Sequence, residues 1–366
     1  MQRSKALAVA LCLLAAPAAA FHKQTPPIVG ITGAGDNGVP RLSSTGRRFV
    51  LALDVGGNQI FRRNWKENTL DQITAAGDNA NPTVSRNGYT IAWDADCTLL
   101  GCPEPGRQIF MSIKEQIFQA THDPTGTSVN PSLSGKGTRL AFESTGNFVG
   151  QNPGAKRQIF VRASDGTIAQ ASHGNGVSRN PSFDTRGTSL VFESTNDLAG
   201  NDTGITQIWL LPPSGFAEIV TSGAGPSRRP ALAGHGRVAT FESTANLTGD
   251  GSDTGVSQIF LYDVVQRSVT QITDDPAGCS DPSISGLPSD LNVAYVCHGE
   301  GFLYRVRLAQ QFRLPITGGD TSHAVAEVGR HFVTVATTAD LLHGGTTPGH
   351  RIYLLNIFKL ALTPVD

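Results

Sequence analysis

The chain has 366 residues, of which 29 are basic and 30 acidic, and charged residues make up only 16% of it. A formal net charge of −1 does not suggest the clustered basic surface that nucleic-acid binding requires, so we expect no nucleic-acid partner. The 41 glycines are well above average usage and are typical of a β protein with many turns.

The first 20 residues have the pattern of a cleaved secretory signal. Arg3 and Lys5 precede an apolar run that is too short to cross a bilayer, and three alanines end at Ala20. We therefore expect an exported mature chain of residues 21–366, located in the periplasm or outside the cell. No later stretch is long and apolar enough to predict a transmembrane segment.

Seven units of about 50 residues repeat along the rest of the chain. Three clear copies begin NPSLSGKGTRLAFEST, NPSFDTRGTSLVFEST and RPALAGHGRVATFEST. Each unit contains four short β-rich segments that alternate apolar and polar residues and are separated by glycine-bearing turns, which predicts one antiparallel four-stranded sheet. Such a sheet cannot bury both faces alone, but sheets arranged in a ring can. The units start near residues 40, 82, 131, 181, 230, 282 and 324.

The sequence therefore predicts an all-β fold: a seven-bladed β-propeller of four-stranded antiparallel blades, formed by residues 21–366 as a single domain. Six or eight blades are the alternatives. Two segments could complete the last blade, one at residues 28–32 and one at residues 362–365. We favour the amino-terminal segment, because Pro364 lacks the N–H that a strand needs except at a sheet edge.

The pattern P-x-x-S-x-x-G-x-x-h-A-F, followed by Q-I-F and Q-I-T, resembles the WD-repeat-like units of the TolB-like exported β-propeller family. The resemblance runs from about residue 28 to the end of the chain. It implies the propeller fold and little about function. We expect no counterpart of the amino-terminal domain of TolB or of its coupling role, and the TolB propeller has six blades rather than seven.

Four of the five cysteines follow the predicted signal, in two local pairs. Cys97 and Cys102 bracket the loop CTLLGC, and Cys279 and Cys297 lie at equal distances from the centre of a predicted hairpin. An exported location and an even count predict the disulfides Cys97–Cys102 and Cys279–Cys297, with free thiols as the alternative.

An acidic residue ends the second strand in each of the first five units, whereas Val296 and Ala336 take its place in the last two. These acids should lie beside Asn130 and Asn180, in a partial ring that could receive a cation or a basic peptide. The alternative is structural: each carboxylate accepts N–H groups of its own loop, and the glutamine that opens each third strand joins neighbouring blades. The five acids are Asp54, Asp94, Glu143, Glu193 and Glu242.

No catalytic motif of the G-x-S-x-G, H-E-x-x-H or Cys-x-x-Cys type is present. We therefore expect no enzyme activity, no cofactor and no metal; Ca²⁺ bound by the Asp-rich loops 200–204 and 249–255 is the alternative.

The leading hypothesis is a monomeric, non-catalytic scaffold that binds a protein or peptide partner where the long loops of blades 2–5 cluster. One rival is a lyase or hydrolase that uses the acids at the channel mouth, with or without calcium. Another is a purely structural envelope or matrix protein. The long loops are residues 96–107, 146–156, 196–206 and 245–257.

Overall fold

A computed structural model describes residues 28–30, 41–43, 48–55, 57–64, 67–97, 101–104, 106–233, 235–286, 290–316, 318–326, 332–360 and 362–365. The predicted signal, the start of the first unit near residue 40 and the turn around residue 288 lie outside these ranges. Within them, no helix is both long and apolar enough to cross a membrane.

Short antiparallel strands make up almost all of the regular structure. The first is β1 (Ile28–Gly30). Blade 1 contains β2 (Arg41–Leu42), β3 (Arg48–Asp54), β4 (Asn58–Asn64) and β5 (Thr69–Gln72). Blade 2 contains β6 (Asn79–Val84), β7 (Thr90–Ala95), β8 (Gln108–Ile113) and β9 (Gln116–Gln119). Blade 3 contains β10 (Ser128–Leu133), β11 (Leu140–Ser144), β12 (Gln158–Arg162) and β13 (Ile168–Gln170).

The remaining four sheets follow the same order. Blade 4 contains β14 (Ser178–Phe183), β15 (Leu190–Asn196), β16 (Asp202–Leu211) and β17 (Glu218–Ile219). Blade 5 contains β18 (Ser227–Ala233), β19 (Val238–Ala245), β20 (Asp253–Asp263) and β21 (Ser268–Gln271). Blade 6 contains β22 (Cys279–Ser285), β23 (Asn292–Cys297), β24 (Glu300–Arg305), a 3₁₀ turn at Val306–Leu308 and β25 (Gln310–Arg313). The last strands are β26 (Thr321–Ala326), β27 (Phe332–Ala339), β28 (Thr346–Asn356) and β29 (Thr363–Pro364).

The prediction of seven four-stranded blades is wrong: six sheets have four strands, and the sheet of blade 6 has five. β1 pairs with β28 and completes the sheet β1-β28-β27-β26, which we call blade 7, as expected for the closing strand. β29 instead pairs with β25 at the outer edge of blade 6. Because β1 occupies the outer edge of β28, the carboxyl-terminal segment adds to the neighbouring sheet, at an edge position that tolerates Pro364.

Each pair of neighbouring blades buries its own apolar cluster. Between blades 3 and 4, for example, Ala141 and Ile159 pack against Phe192 and Trp209. The last cluster joins Phe49, Leu51, Leu53 and Phe61 of blade 1 to Ala336, Ile352 and Leu354 of blade 7. The sheets therefore form a closed ring, since blade 7 packs against blade 1 as the other blades pack against their neighbours.

The glycine that recurs in each first turn has a steric reason. Gly137 and Gly187 adopt φ values of 69° and 71°, in the left-handed region that favours glycine. A Cβ at Gly137 would lie 2.7 Å from Thr90 of the preceding blade, and one at Gly187 would lie 2.6 Å from Ser134. The turns of adjacent blades thus approach each other too closely for a side chain.

The alternation of strand direction places the connections at two ends of the ring. We call one end the long-loop face; it carries the described parts of the loops between second and third strands, at residues 96–97, 101–104, 106–107, 146–156, 196–206 and 245–257. We call the opposite end the turn face. It carries the turns after the first strands, at residues 85–89, 134–138, 184–188 and 235–237, and those after the third strands, at residues 114–115, 163–167, 212–217, 264–267, 306–309 and 357–360.

Both predicted disulfides are present. Cys279 and Cys297 are direct partners in the ladder between β22 and β23, and each is 2% exposed. Cys97 and Cys102 are joined in a loop at the long-loop face of blade 2. The bonds therefore brace the same end of the ring in two different blades.

Candidate functional site

Four of the five predicted acids are buried at the long-loop end of their second strands. Asp94, Glu143, Glu193 and Glu242 are between 1% and 9% exposed. Asp54 differs because it is exposed and its carboxylate accepts the N–H of Gly57 at 3.0 Å, inside its own loop. The acids do not converge on one open site, and each has partners in its own part of the ring.

Glu143 illustrates how the buried acids are bound. Its Oε1 accepts the side-chain amide of Asn130 at 2.7 Å and the backbone N–H of Asn180, in the next blade, at 2.8 Å. Its Oε2 accepts Nη1 of Arg157 at 3.1 Å. One carboxylate therefore ties blade 3 to blade 4.

The same contact to the next blade recurs around half of the ring, and we call it the carboxylate latch. It consists of a second-strand carboxylate and the backbone N–H of the equivalent inner-strand residue one blade further on. The other latches are Asp94 to Asn130 at 3.1 Å, Glu193 to Arg229 at 2.7 Å and Glu242 to Asp281 at 2.9 Å.

A bulge in each inner strand makes the N–H available. The register of β10 against β11 shifts between Val129 and Ser132, and Asn130 within this bulge has a φ of 51°. Asn180 has a φ of 50° in the same position of blade 4. A bulge leaves its extra residue outside the ladder, and asparagine tolerates the left-handed conformation better than most residues. The recurring Asn-Pro of the sequence is therefore part of the latch.

The glutamine at the start of a third strand also contacts the next blade. Gln158 accepts the hydroxyl of Ser172 at 2.6 Å and donates to the carbonyl oxygens of Gly174 and Gly176 at 3.2 and 2.9 Å. Its Oε1 also accepts the hydroxyl of Ser178, in β14 of blade 4, at 3.4 Å. Acid and glutamine therefore both join blade 3 to blade 4, and the acid's contact with the next blade was not part of the structural interpretation.

The arginines that pair with the latch acids were missed by sequence reasoning. Arg107 donates to Asp94 at 2.7 Å, as Arg157 does to Glu143, and each precedes the glutamine of its third strand. The string R-Q-I-F, which blades 2 and 3 share, is the sequence pattern that could have indicated these pairs. In blade 5, Arg229 takes the position of the asparagine and pairs with Glu242 at 3.2 Å.

Glu193 is the buried acid that lacks such a pair. Thr206 stands in blade 4 where blades 2 and 3 have arginine, and among the described residues no guanidinium is hydrogen-bonded to Glu193. Burial raises the pKa of the Glu193 carboxyl above its ordinary value of 4.5, although hydrogen bonds from Asn180 and the N–H of Arg229 lower it. Glu193 therefore binds its proton more tightly in the folded state than in the unfolded chain.

Replacing Glu193 by glutamine is expected to stabilise the protein at neutral and alkaline pH. As the pH rises from about 4.5 through the raised pKa of Glu193, ionisation of the buried carboxyl lowers the free energy of unfolding. The decrease in stability is complete at pH values above that raised pKa. Glutamine retains an acceptor oxygen for Asn180 and for the N–H of Arg229. Thermal unfolding should show the variant above the wild type at about pH 8, with the difference vanishing toward about pH 4.

Glu143→Gln is the matched control, because it weakens a pair with Arg157 and should destabilise the protein at the same pH. If Glu193→Gln lowered the unfolding temperature at about pH 8 as much as this control does, the raised pKa of Glu193 would be refuted.

The long loops are held in shape by their own side chains. Asn152 donates to the carbonyl oxygens of Thr145, Gly146 and Lys156 at 2.7–3.2 Å. In blade 4, Asp197 accepts the N–H of Asn201 at 2.8 Å. Braced loops present fixed groups to solvent, which suits recognition of a partner.

Exposed carboxylates line the loops of blades 4 and 5. Hydrogen bonds from neighbouring Asn, Ser or Thr side chains lower the pKa of each one, so all remain ionised at neutral pH. They are Asp197, Asp202, Asp250 and Asp253. β16 and β20 extend into these loops, where Asn196 pairs with Asp202 and Ala245 pairs with Asp253.

A long loop also occurs in blade 7, outside the predicted set of blades 2–5. In blade 7, Ala339 pairs with Thr346 around a similar extended hairpin. Asp340 in this loop accepts Arg351 at 3.0 Å. The sequence hid this loop because the seventh unit lacks the acid and glutamine that mark the others.

A pocket of about 270 Å³ lies between blades 5 and 6 on the long-loop face. Ser257, Cys279, Val296 and His298 are among its lining residues, and Nε2 of His298 donates to Oδ1 of Asp275 at 2.6 Å. Sequence reasoning missed this pocket. Two features of the sequence could have indicated it: Val296 replaces the acid, and the turn after Cys297 has only two residues. Because this turn is short, blade 6 places no long loop beside the long loop of blade 5.

The expectation of no metal, with calcium as the alternative, stays a prediction. In the part of the chain that is described, two side-chain groups have suitable spacing, Cys97 with Cys102 and Glu104, and Asp275 with Cys279 and Cys297. The cysteines of both groups form disulfide bonds, so their thiolates are not available as metal ligands. In the loops proposed for calcium, Asp250 accepts the N–H of Ser252 at 3.1 Å, a contact of ordinary turns.

No protein-family model matches the sequence, and no curated protein matches it. Solved structures do. An oligogalacturonate lyase from Vibrio parahaemolyticus is 10% identical over 91% of this chain and 92% of that chain, with a TM-score of 0.61. The β-propeller domain of the Trilobed protease from Pyrococcus furiosus, which has an open velcro topology, is 11% identical over 88% and 94%, with a TM-score of 0.58.

TolB from Acinetobacter baumannii is 13% identical and covers 86% of this chain, with a TM-score of 0.49. This chain spans 64% of that TolB chain. At such identities the likeness to the lyase and to the protease domain is one of fold, and it leaves open whether this propeller is an enzyme or a binding module.

Proposed function

We propose that this propeller is an exported, non-catalytic module that binds a protein or peptide partner on the long-loop face of blades 2–5. The observation that carries the proposal is the division of the acids into two groups. Four are buried in carboxylate latches that hold the ring together. Others are exposed on braced loops, where they can meet a partner.

The geometry disfavours the lyase or hydrolase alternative at the channel mouth. Acid–base chemistry there requires at least two acids and a His or Arg around one open space. In Glu143, by contrast, one carboxylate oxygen accepts hydrogen bonds from Asn130 and Asn180, and the other accepts one from Arg157. Asp275 and His298 pair with each other at the pocket between blades 5 and 6.

The exposed acids indicate a basic partner. Asp202 and Asp253 lie at equivalent places in two neighbouring loops. Asp197 and Asp250 lie in the same two loops at positions that do not correspond, since Asn246 takes the place of Asp197. Four ionised carboxylates on one rim attract cationic groups and make the association sensitive to salt. Two disulfides fit an oxidising compartment, which supports an exported location in the periplasm or outside the cell.

Affinity capture from the exported fraction of the source cells tests the proposal. The immobilised chain should retain a basic protein at low salt and release it as the salt concentration rises. The double variant Asp202→Asn with Asp253→Asn should retain that protein about tenfold less, because two charges are lost from the rim without removal of the loops.

Asp165→Asn is the matched control, because Asp165 is an equally exposed acid on the turn face. Retention should be unchanged in this variant. A wild-type chain that retains no partner, or equal losses in the control and the double variant, would exclude recognition by the long-loop face.

A further inference from the structure

The charged residues of the ring are divided between its two ends. The first turns of blades 2–4 carry the exposed cations Arg86, Lys136 and Arg186 on the turn face. Asp184 lies in the same set of turns but is buried, and its carboxylate accepts the N–H groups of Thr188 and Ser189. The latch acids and the exposed loop acids lie at the other end. A net charge near zero therefore conceals a basic turn face.

Large apolar residues are exposed on the same face in four consecutive blades. Each lies in the connection that follows the third strand. They are Phe216, Val265, Leu308 and Phe358, which are 82%, 70%, 56% and 59% exposed. Single exposed apolar residues are common. Four exposed apolar residues at the same position of adjacent blades form a row along the turn face.

Cations accompany these apolar tips, whereas the other blades differ. Arg267, Arg307 and Lys359 lie within two residues of Val265, Leu308 and Phe358. The equivalent turns contain Lys114 and Glu115 in blade 2, next to Ile113 with 39% exposure, and Asp165 in blade 3. In the described chain, apolar side chains more than half exposed at this turn thus occur in blades 4–7, and a cation lies within two residues of the tip in blades 5–7.

We propose that the turn face of blades 4–7 docks on an anionic phospholipid surface. The apolar tips enter the boundary between headgroups and acyl chains, and the neighbouring cations meet lipid phosphates. Nearby carboxylates reduce the positive charge only in part: Glu218 is paired with Arg267 at 2.7 Å, and Asp263 accepts the N–H groups of Val265 and Gln266.

The arrangement of the tips favours a membrane over other anionic partners. Tips on four successive blades of a ring lie at one end and are separated by the width of a blade. A flat, deformable surface can contact all of them together. Nucleic acid would engage the cations, and its bases could stack on the two phenylalanines, but Val265 and Leu308 would be left exposed without a role. Docking in this orientation points the long-loop face away from the membrane.

Vesicle flotation of the mature chain, residues 21–366, tests the proposal. The wild type should bind phosphatidylcholine vesicles that contain phosphatidylglycerol, more weakly at high salt, and should bind pure phosphatidylcholine vesicles less. The double variant Phe216→Ser with Phe358→Ser should bind about tenfold less, because two inserting side chains are lost. Arg307→Glu with Lys359→Glu should remove the preference for the anionic lipid, because both cations are exposed beside the tips of blades 6 and 7.

Leu198→Ser is the matched control, because Leu198 is 75% exposed but lies on the long-loop face. It should bind vesicles as the wild type does, and all variants should keep the wild-type unfolding temperature. Failure of the wild type to bind anionic vesicles, an equal loss in Leu198→Ser, or binding to heparin or DNA without binding to vesicles would each overturn the proposal.

Discussion

Replacing Glu143 by alanine should destabilise the propeller by about 3 kcal/mol, because it removes one partner from a buried charged network. Glu143 is 1% exposed and accepts Asn130, the N–H of Asn180 and Arg157. Its loss leaves buried donors without an acceptor and a guanidinium without its counter-charge. Urea or thermal unfolding measures the effect, with an unfolding temperature lower by roughly 2–4 °C for each kcal/mol.

Asp54→Asn is the control for this prediction. Asp54 stands at the equivalent position of blade 1, but it is exposed and its contact with Gly57 lies inside its own loop. The expected change is within about 0.5 kcal/mol. A loss of similar size in both variants would mean that burial of the Glu143 carboxylate is not what makes it important.

Removal of β1 should destabilise the ring by a similar amount, about 3 kcal/mol. β1 supplies the outer ladder of β28 and places Ile28 against the apolar cluster between blades 6 and 7. The loss combines burial of an apolar side chain with several backbone hydrogen bonds, partly offset by the conformational entropy of the released strand. A chain that starts at residue 31 should unfold at lower temperature and aggregate more readily, because the edge of β28 is exposed.

Deletion of residues 363–366 is the comparison for the β1 truncation. It removes β29, which lies at the outer edge of a sheet that already has four strands. The cost should be about 1 kcal/mol. If this deletion destabilised the protein more than the loss of β1, closure would depend on the carboxyl-terminal strand instead.

Much of a single blade could be predicted from sequence, because its four strands are neighbours in the chain. The turn glycines, the alternation in LAFES and the Asn-Pro at Asn130 all concern residues of one unit. The Cys279–Cys297 bond was predictable for the same reason, since a hairpin brings the two residues opposite each other. Local contacts of this kind follow from periodicity and turn chemistry.

The partners of the acids could not be predicted in this way. Asn130 and Asn180 occupy the same position in successive units, so the sequence pattern cannot tell which copy Glu143 contacts. The structure shows that it contacts both, through the side chain of the first and the backbone N–H of the second. The arginine of R-Q-I-F had no assigned role until its distance to the acid was known.

By itself, the sequence determined the all-β repeat, the order of strands within a blade and both disulfides, because these depend on residues close together in the chain. Only the tertiary structure decided that β1 completes the last sheet while β29 extends blade 6, and that the acids latch one blade to the next. It also decided which loops share a face, and thereby separated acidic from basic ends. The physical reason is that packing between blades joins residues about 50 positions apart, where a repeating sequence offers several equivalent partners and only geometry selects one.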